Sequence, residues 1–207
     1  MLRIIKSLFS RNRYSQNQSW TSDFFSDYFP PSILTAGKGK EPTSIIQKPS
    51  KPQRKSTLSS PAIFKRLINL YPPYLGAGVK VTYIKEDWRQ VEVRLQMRWY
   101  NRNAFGTHFG GSIYSMVDPH LALMLTNLLG RDYIVWDKSA HIEFVKATKK
   151  PIHCVLTISQ DELDDIIKHT ENGEKYHPEF KLEILGEDEQ LIAKVYKELY
   201  VRKKRQS

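Results

Sequence analysis

Apolar residues recur along the second two-thirds of the chain with two periods. Ile63, Phe64, Leu67, Ile68 and Leu70 fall three and four apart, which predicts a helix that Pro72-Pro73 ends. From Val79 the period drops to two. Val79, Val81 and Tyr83 alternate with Lys80 and Thr82. Val91, Val93, Leu95, Met97 and Trp99 alternate with Glu92, Arg94, Gln96 and Arg98, and Glu86-Asp87 sits in the turn between the two runs. Each run reads as a strand with one wet face and one core face. The run from Ser112 to Leu129 is too long and too apolar for a strand and reads as a helix buried on nearly all sides. After Gly130 the strands return over Tyr133–Val145, Ile152–Ile158, the stretch holding Phe180, Leu182 and Ile184, and Leu191–Val201. Glu162–His169 reads as a short polar helix or loop excursion, and Gly186–Glu189 as a turn. Six antiparallel strands and one long helix predict an α+β fold, a curved sheet wrapped around that helix.

The first sixty residues carry no such pattern. Residues 1–60 read as a disordered basic tail and residues 61–203 as the folded domain. The stretch before Asp23 has no acid, is rich in Arg, Ser and Asn, and holds Leu2, Ile4, Ile5, Leu8 and Phe9 at amphipathic spacing. It reads either as an ordinary basic tail or as a mitochondrial targeting segment. Trp20, Phe24, Phe25, Tyr28 and Phe29 form an aromatic island ahead of a Pro-, Ser- and Lys-rich linker.

Charge separates these two parts. The net charge is +10, and residues 1–60 hold ten basic residues against three acidic ones, a net of +7. The remaining +3 leaves the domain near neutral, which argues against nucleic acid as a partner. A single cysteine, Cys154, rules out an intrachain disulfide framework and suits a reducing compartment, so the expected location is cytoplasmic, or the mitochondrial matrix in a eukaryote. Cys154 lies in an apolar strand and reads as core. No apolar run reaches the length of a membrane span. The six histidines show no metal-ligand spacing, and there is neither a phosphate-binding glycine loop nor a Gly-x-Ser-x-Gly elbow. No metal and no cofactor is expected.

The candidate chemistry lies where the loop Asn103-Ala104-Phe105-Gly106-Thr107-His108-Phe109-Gly110-Gly111 enters the buried helix. The first N–H groups of a helix lack internal partners and lie at the positive end of its dipole. Glycines there let a substrate carbonyl come close, which is the recipe for an oxyanion site. Gly111, Ser115 and Asp118 are spaced to share one helix face. Seven residues span about 10 Å along a helix, far for one carbonyl to meet both Gly111 and Asp118. Asp118-Pro119 has a second reading as a helix start, with Asp capping and Pro in the first turn. Pro119 within a continuous helix should free the Ser115 carbonyl and kink the chain. Ser112 and Ser115 read equally as small packing residues, and His120 as a satisfied polar residue at a helix edge.

Asn103 to Asp118, with Gly106-Thr107-His108-Phe109-Gly110-Gly111-Ser112-Ile113-Tyr114 and Asp118-Pro119, resembles the signature of hot-dog-fold thioesterases. It is most similar to a branch described only as a domain of unknown function. Gly130–Lys138 and Ile142-Glu143-Phe144 fit that branch, and the resemblance covers residues 60–203. The resemblance implies hydrolysis of an acyl thioester, of coenzyme A or acyl carrier protein, at the interface of a homodimer or dimer of dimers. By resemblance, the Gly111 N–H polarises the thioester carbonyl, Asp118 is the nucleophile or the base that activates water, and Asn103 positions substrate or that water. Gly110, Ser112, Ser115, His108 and Phe109 are then candidate substrate-binding residues. Many relatives have His directly before the glycine pair; here Phe109 stands there and His108 one place earlier. Lys146, Lys149, Lys150 and Arg202–Arg205 are solvated charge or partners for coenzyme A phosphates. The alternative to an enzyme is a non-catalytic module that binds an acyl thioester.

Overall fold

The structure, a computed structural model, describes residues 60–205. The tail, the targeting segment and the aromatic island lie outside the described residues.

Helix α1 (Pro61–Ile68) buries Phe64, Leu67 and Ile68, and Phe64 meets Trp88 edge-on at 5.2 Å. Asn69, just after it, is joined to β1 (Val79–Ile84) by a pair of hydrogen bonds. Its amide donates to the Val81 carbonyl at 2.9 Å and accepts from the Val81 N–H at 2.8 Å. That anchor falls where the register of β1 against β2 (Gln90–Leu95) shifts between Val81 and Tyr83. Pro72 and Pro73 do more than end α1. They open a second short helix, α2 (Pro72–Ala77), because the first turn of a helix needs no donor from them.

Strand β2 stops at Leu95, short of the alternation through Trp99. The Asn101 side chain accepts from the Arg98 N–H at 2.6 Å and donates to the Gln96 and Ala77 carbonyls, so the chain turns there instead of extending. Gly78, with φ +77°, closes α2 against that amide; a Cβ there would collide with Asn101 Nδ2.

The central helical unit runs from Gly110 to Leu129 in two segments, α3 (Gly110–Ser115) and α4 (His120–Leu129). Pro119 has no N–H to continue the ladder, and the Val117 and Asp118 N–H groups both donate to the Tyr114 carbonyl, at 3.0 and 3.1 Å. Leu121, Met124 and Leu125 are buried in the core, but Ala122, Leu123 and Thr126 to Leu129 are only half-buried. Burial on nearly all sides is therefore not reached within the described residues of the chain.

The remaining strands are β3 (Tyr133–Phe144), β4 (Ile152–Thr157), a two-residue β5 (Lys175–Tyr176), β6 (Glu179–Gly186) and β7 (Leu191–Lys203). Helix α5 (Gln160–Thr170) turns the polar excursion into a true helix, started by a Ser159–Glu162 capping box. The sheet is antiparallel, in the order β1-β2-β4-β6-β7-β3, with β5 added against β7. This is the hot-dog fold: Val91, Val93, Leu95, Leu156, Ile184, Val195, Leu199 and Val201 form the inner face that meets the central helix. Cys154 is buried in that core. Strands β1 and β3 are the two ends of the sheet, and most residues of β3 are exposed.

Candidate active site

The residues singled out in the sequence fall into two groups joined through α3. The first is the loop. Asn103 spends its side chain on shaping that loop: Oδ1 accepts from the Phe105 and Thr107 N–H groups, both at 3.0 Å, and Nδ2 donates to Thr107 Oγ1 and the His108 carbonyl. His108 is buried and its Nε2 donates to the Lys150 carbonyl at 2.9 Å, pinning the loop to the segment after β3; its Nδ1 has no partner among the described residues. Phe109 is exposed, and its ring lies over Gly111, filling the space a Cβ would need. A Cβ on Gly110 would come within 3.0 Å of the Phe144 ring, so two aromatic rings frame the glycine pair. Ser115 donates to the Gly111 carbonyl at 2.7 Å, and Ser112 is buried. The first donors of α3 precede its first internal bond, Ile113 N–H to the Phe109 carbonyl at 3.1 Å.

The second group surrounds Asp118. Its side chain is 47% exposed and caps nothing: the residue before α4 is Pro119, and no side chain bonds that terminus. Of the helix-start reading, a helix does begin at His120 directly after Pro119, but Asp118 does not cap it and α3 already precedes it. The carboxylate instead faces three groups. The Tyr114 phenol lies one turn earlier, near enough for Asp118 to raise it. Lys197 Nζ lies 3.5 Å from Asp118 Oδ1 and also donates to the Asp118 carbonyl. The same ammonium is 3.0 Å from Asp137 Oδ1.

Lys197, Asp137, Tyr114 and Tyr74 were not among the expected site residues. One signal was available for Lys197. In β7 it falls in phase with Val195, Leu199 and Val201, a charge at a core position of a period-two strand. Asp137 reaches it because the β3–β7 register shifts between Asp137 and Ser139. Before that bulge Val135 and Asp137 pair with Val201 and Leu199; after it Ala140 pairs with Lys197. No sequence pattern announces that shift.

Electrostatics follow from burial. His120 is fully enclosed and shares a 2.7 Å hydrogen bond with the Tyr74 hydroxyl. Burial, and then the Lys197 charge, push its imidazole down to about 3, so it is neutral near pH 7. Burial and the neighbouring Asp118 raise the Tyr74 phenol well above its usual range, and burial followed by Asp118 does the same to Tyr114. Asp137 is raised by burial and by Asp118, with Lys197 pulling the other way. The cluster thus holds one ammonium, two carboxyls, two phenols and a neutral imidazole. Chemically it offers a partly exposed carboxylate fixed at a helix break.

A groove of about 350 Å³ lies elsewhere, on the outer face of β4 and β6, where His153, Thr157, Lys181 and Glu183 line it. It shares no residue with either group. Among the described residues no cluster of His, Cys, Asp or Glu is arranged to hold a metal ion, and no helix is long and apolar enough to cross a membrane.

Residues 60–201 match the family described as Domain of unknown function (DUF4442). A comparison with curated proteins finds no match. Among solved structures, the chain is similar to a Pseudomonas aeruginosa protein of unknown function, named a probable thioesterase. The TM-score is 0.60 at 14% identity, over 69% of this chain and 95% of that one. It is similar to a protein of unknown function from Chlorobaculum tepidum, with TM-score 0.57 and 14% identity, over 70% and 97% of the two chains. It is also similar to a thioesterase from Haemophilus influenzae, with TM-score 0.54 and 10% identity, over 72% and 94%.

Proposed function

The chain belongs to the family described as Domain of unknown function (DUF4442), and from that premise we propose that it hydrolyses an acyl thioester. The observation that carries this reading is Asp118: a half-exposed carboxylate held at the α3–α4 break by Lys197, with Tyr114 one turn earlier, on the helical unit that begins at Gly110. The likeness in fold to a thioesterase supports the same reaction class. In it, the Gly111 N–H receives the thioester oxygen as charge develops there, and Asp118 attacks the carbonyl carbon or takes a proton from the attacking water. Gly110, Ser112, Ser115, His108 and Phe109 shape the approach, and Asn103 acts through the loop it holds together. The carrier is coenzyme A or acyl carrier protein.

The site is completed by a second copy of the chain, as a homodimer or dimer of dimers. Support comes from the half-buried side of α4 and from the twelve-residue edge strand β3, with Trp136 and Phe144 exposed on it. Light scattering of the pure protein should give at least twice the monomer mass.

One observation favours a second reading, an acyl-thioester-binding module without turnover: the Phe109 ring packs against Gly111 where a Cβ would stand and crowds that side of the glycine pair. Incubating the pure protein with a panel of acyl-CoA and acyl-carrier-protein thioesters, and following release of free thiol, separates the two. Release above the uncatalysed rate supports the hydrolase. Thermal stabilisation by the same thioesters without thiol release supports the module.

A further inference from the structure

Lys197 is a charge in an expensive place. Its side chain is 0% exposed, on the inner face of β7 between Val195 and Leu199. Burying an ammonium is unfavourable unless every N–H finds a partner, and an apolar residue would fill the same space without that penalty. The partners are present: the Asp118 carbonyl, Asp118 Oδ1 at 3.5 Å and Asp137 Oδ1 at 3.0 Å, with the Tyr114 ring 5.7 Å from the nitrogen. Two of the three belong to one residue, at the point where Pro119 breaks the helix. The third contact, the Asp137 carboxylate, comes from the bulged stretch of β3. A strand on one side of the central helix thus grips the break, backbone and side chain together.

We propose that Lys197 is a positioning residue for hydrolysis: it clamps Asp118 at the α3–α4 break and offsets the second carboxylate, Asp137, that would otherwise repel it. The proposal rests on the thioesterase reading of Asp118 for its chemical meaning, but the clamp itself can be measured without turnover. When Asp118 acts as base, water gives one proton to its carboxylate as the water oxygen bonds to the carbonyl carbon. The C–S bond then breaks with its electron pair on sulfur, and that proton passes to the thiolate. Lys197 exchanges no proton. It holds the Asp118 carboxylate at the break, between its own ammonium and solvent.

The groups that face the ammonium are Asp118 and Tyr114 from the α3 side, His120 from α4, and Asp137 from β3; Tyr74 from α2 reaches the cluster through His120. In Lys197→Met the positive charge is gone and the two carboxyls face each other. Removing an adjacent opposite charge raises a carboxyl by about one to three pH units. The acid limb of kcat/KM should therefore move up by at least about one pH unit, and kcat should fall by at least about tenfold, with KM nearly unchanged. Lys197→Met/Asp137→Asn removes the like charge as well, and the acid limb should move back toward that of the unsubstituted protein. A role in packing alone leaves the acid limb where it is in both variants.

The independent measurement is a carboxyl ¹³C NMR titration of aspartate-labelled full-length protein, with the Asp118 signal assigned by its loss in Asp118→Asn. Asp118 should titrate at higher pH in Lys197→Met and at lower pH in Asp137→Asn, which leaves Lys197 to Asp118 alone. Asp137→Asn preserves shape, so it decides the matter should Lys197→Met not fold. An Asp118 titration unchanged in Asp137→Asn, or in a folded Lys197→Met, overturns the clamp. Failure of the unsubstituted protein to release thiol, with the NMR shifts present, overturns the hydrolytic reading and leaves the clamp standing.

Discussion

Tyr74 and His120 meet inside the protein, hydroxyl to Nε2 at 2.7 Å, one from the proline-opened helix α2 and the other from the first turn of α4. Both are nearly inaccessible to solvent. The pair ties the short helix α2 to the first turn of α4. It also makes stability depend on pH. His120 in the folded chain sits at about 3, well below its usual 6.5. Between those values the unfolded chain binds the proton and the folded chain does not, so acid favours unfolding. The contribution is fully present above pH 6.5 and is lost as pH falls toward 3, with a slope of up to about 1.4 kcal/mol per pH unit. Urea unfolding at pH 7.5, 5.5 and 4.5, compared with His120→Gln, should show a flatter dependence in the variant. Equal slopes would mean that His120 charges inside the fold.

Asp118→Asn separates chemistry from structure. The amide keeps the shape and can still accept a hydrogen bond, and the Lys197 bond to the residue 118 carbonyl is untouched. The side chain is half-exposed, so little burial is at stake. The expected result is a fall in kcat of about a hundredfold or more, with a melting temperature within a few degrees. Hydrolysis left intact would move the base to another group.

The inner core was legible because it obeys period two almost without exception. Val91, Val93 and Leu95, and then Val195, Leu199 and Val201, take the buried positions that their alternation predicts. The break at Pro119 was legible too, since a missing donor cannot be hidden by packing. What the chain did not announce were contacts made by register. Asp137 meets Lys197 only because β3 gains a residue against β7, and a bulge leaves no mark in one strand's own pattern. The end of β2 at Leu95 has the same origin: Asn101 captures three backbone groups distant in pattern but close in space. Lys197 stood in plain view as a charge in core phase, and its meaning depends on partners from two other elements.

Cys154 gives a simple check on the sheet. It lies in β4 opposite Val93 of β2, is 1% exposed, and its thiol is pushed up to about 12 by burial. A thiol both covered and protonated is a poor nucleophile. Iodoacetamide at pH 8 should leave the native protein unmodified over an hour and alkylate one site in guanidinium, as read by mass spectrometry. Rapid native labelling would mean that β4 opens.

The glycine pair offers the sharpest test of the oxyanion assignment. Gly111→Ala keeps the N–H and adds a methyl where the Phe109 ring now lies. Phe109 is 55% exposed, so its ring can swing into solvent and the stability cost should be small, at the low end of the about 1–3 kcal/mol for overpacking. Turnover should fall at least about tenfold, because one weakened oxyanion donor costs that much or more. Two causes would give that loss: the methyl blocks the carbonyl, or the displaced ring blocks the acyl group. Phe109→Ala/Gly111→Ala tells them apart. With the ring gone, the methyl still crowds residue 111, so turnover should stay low while the melting temperature recovers. Recovery of turnover in the double variant would show that the ring was the obstacle and that the Gly111 N–H is not where the carbonyl binds.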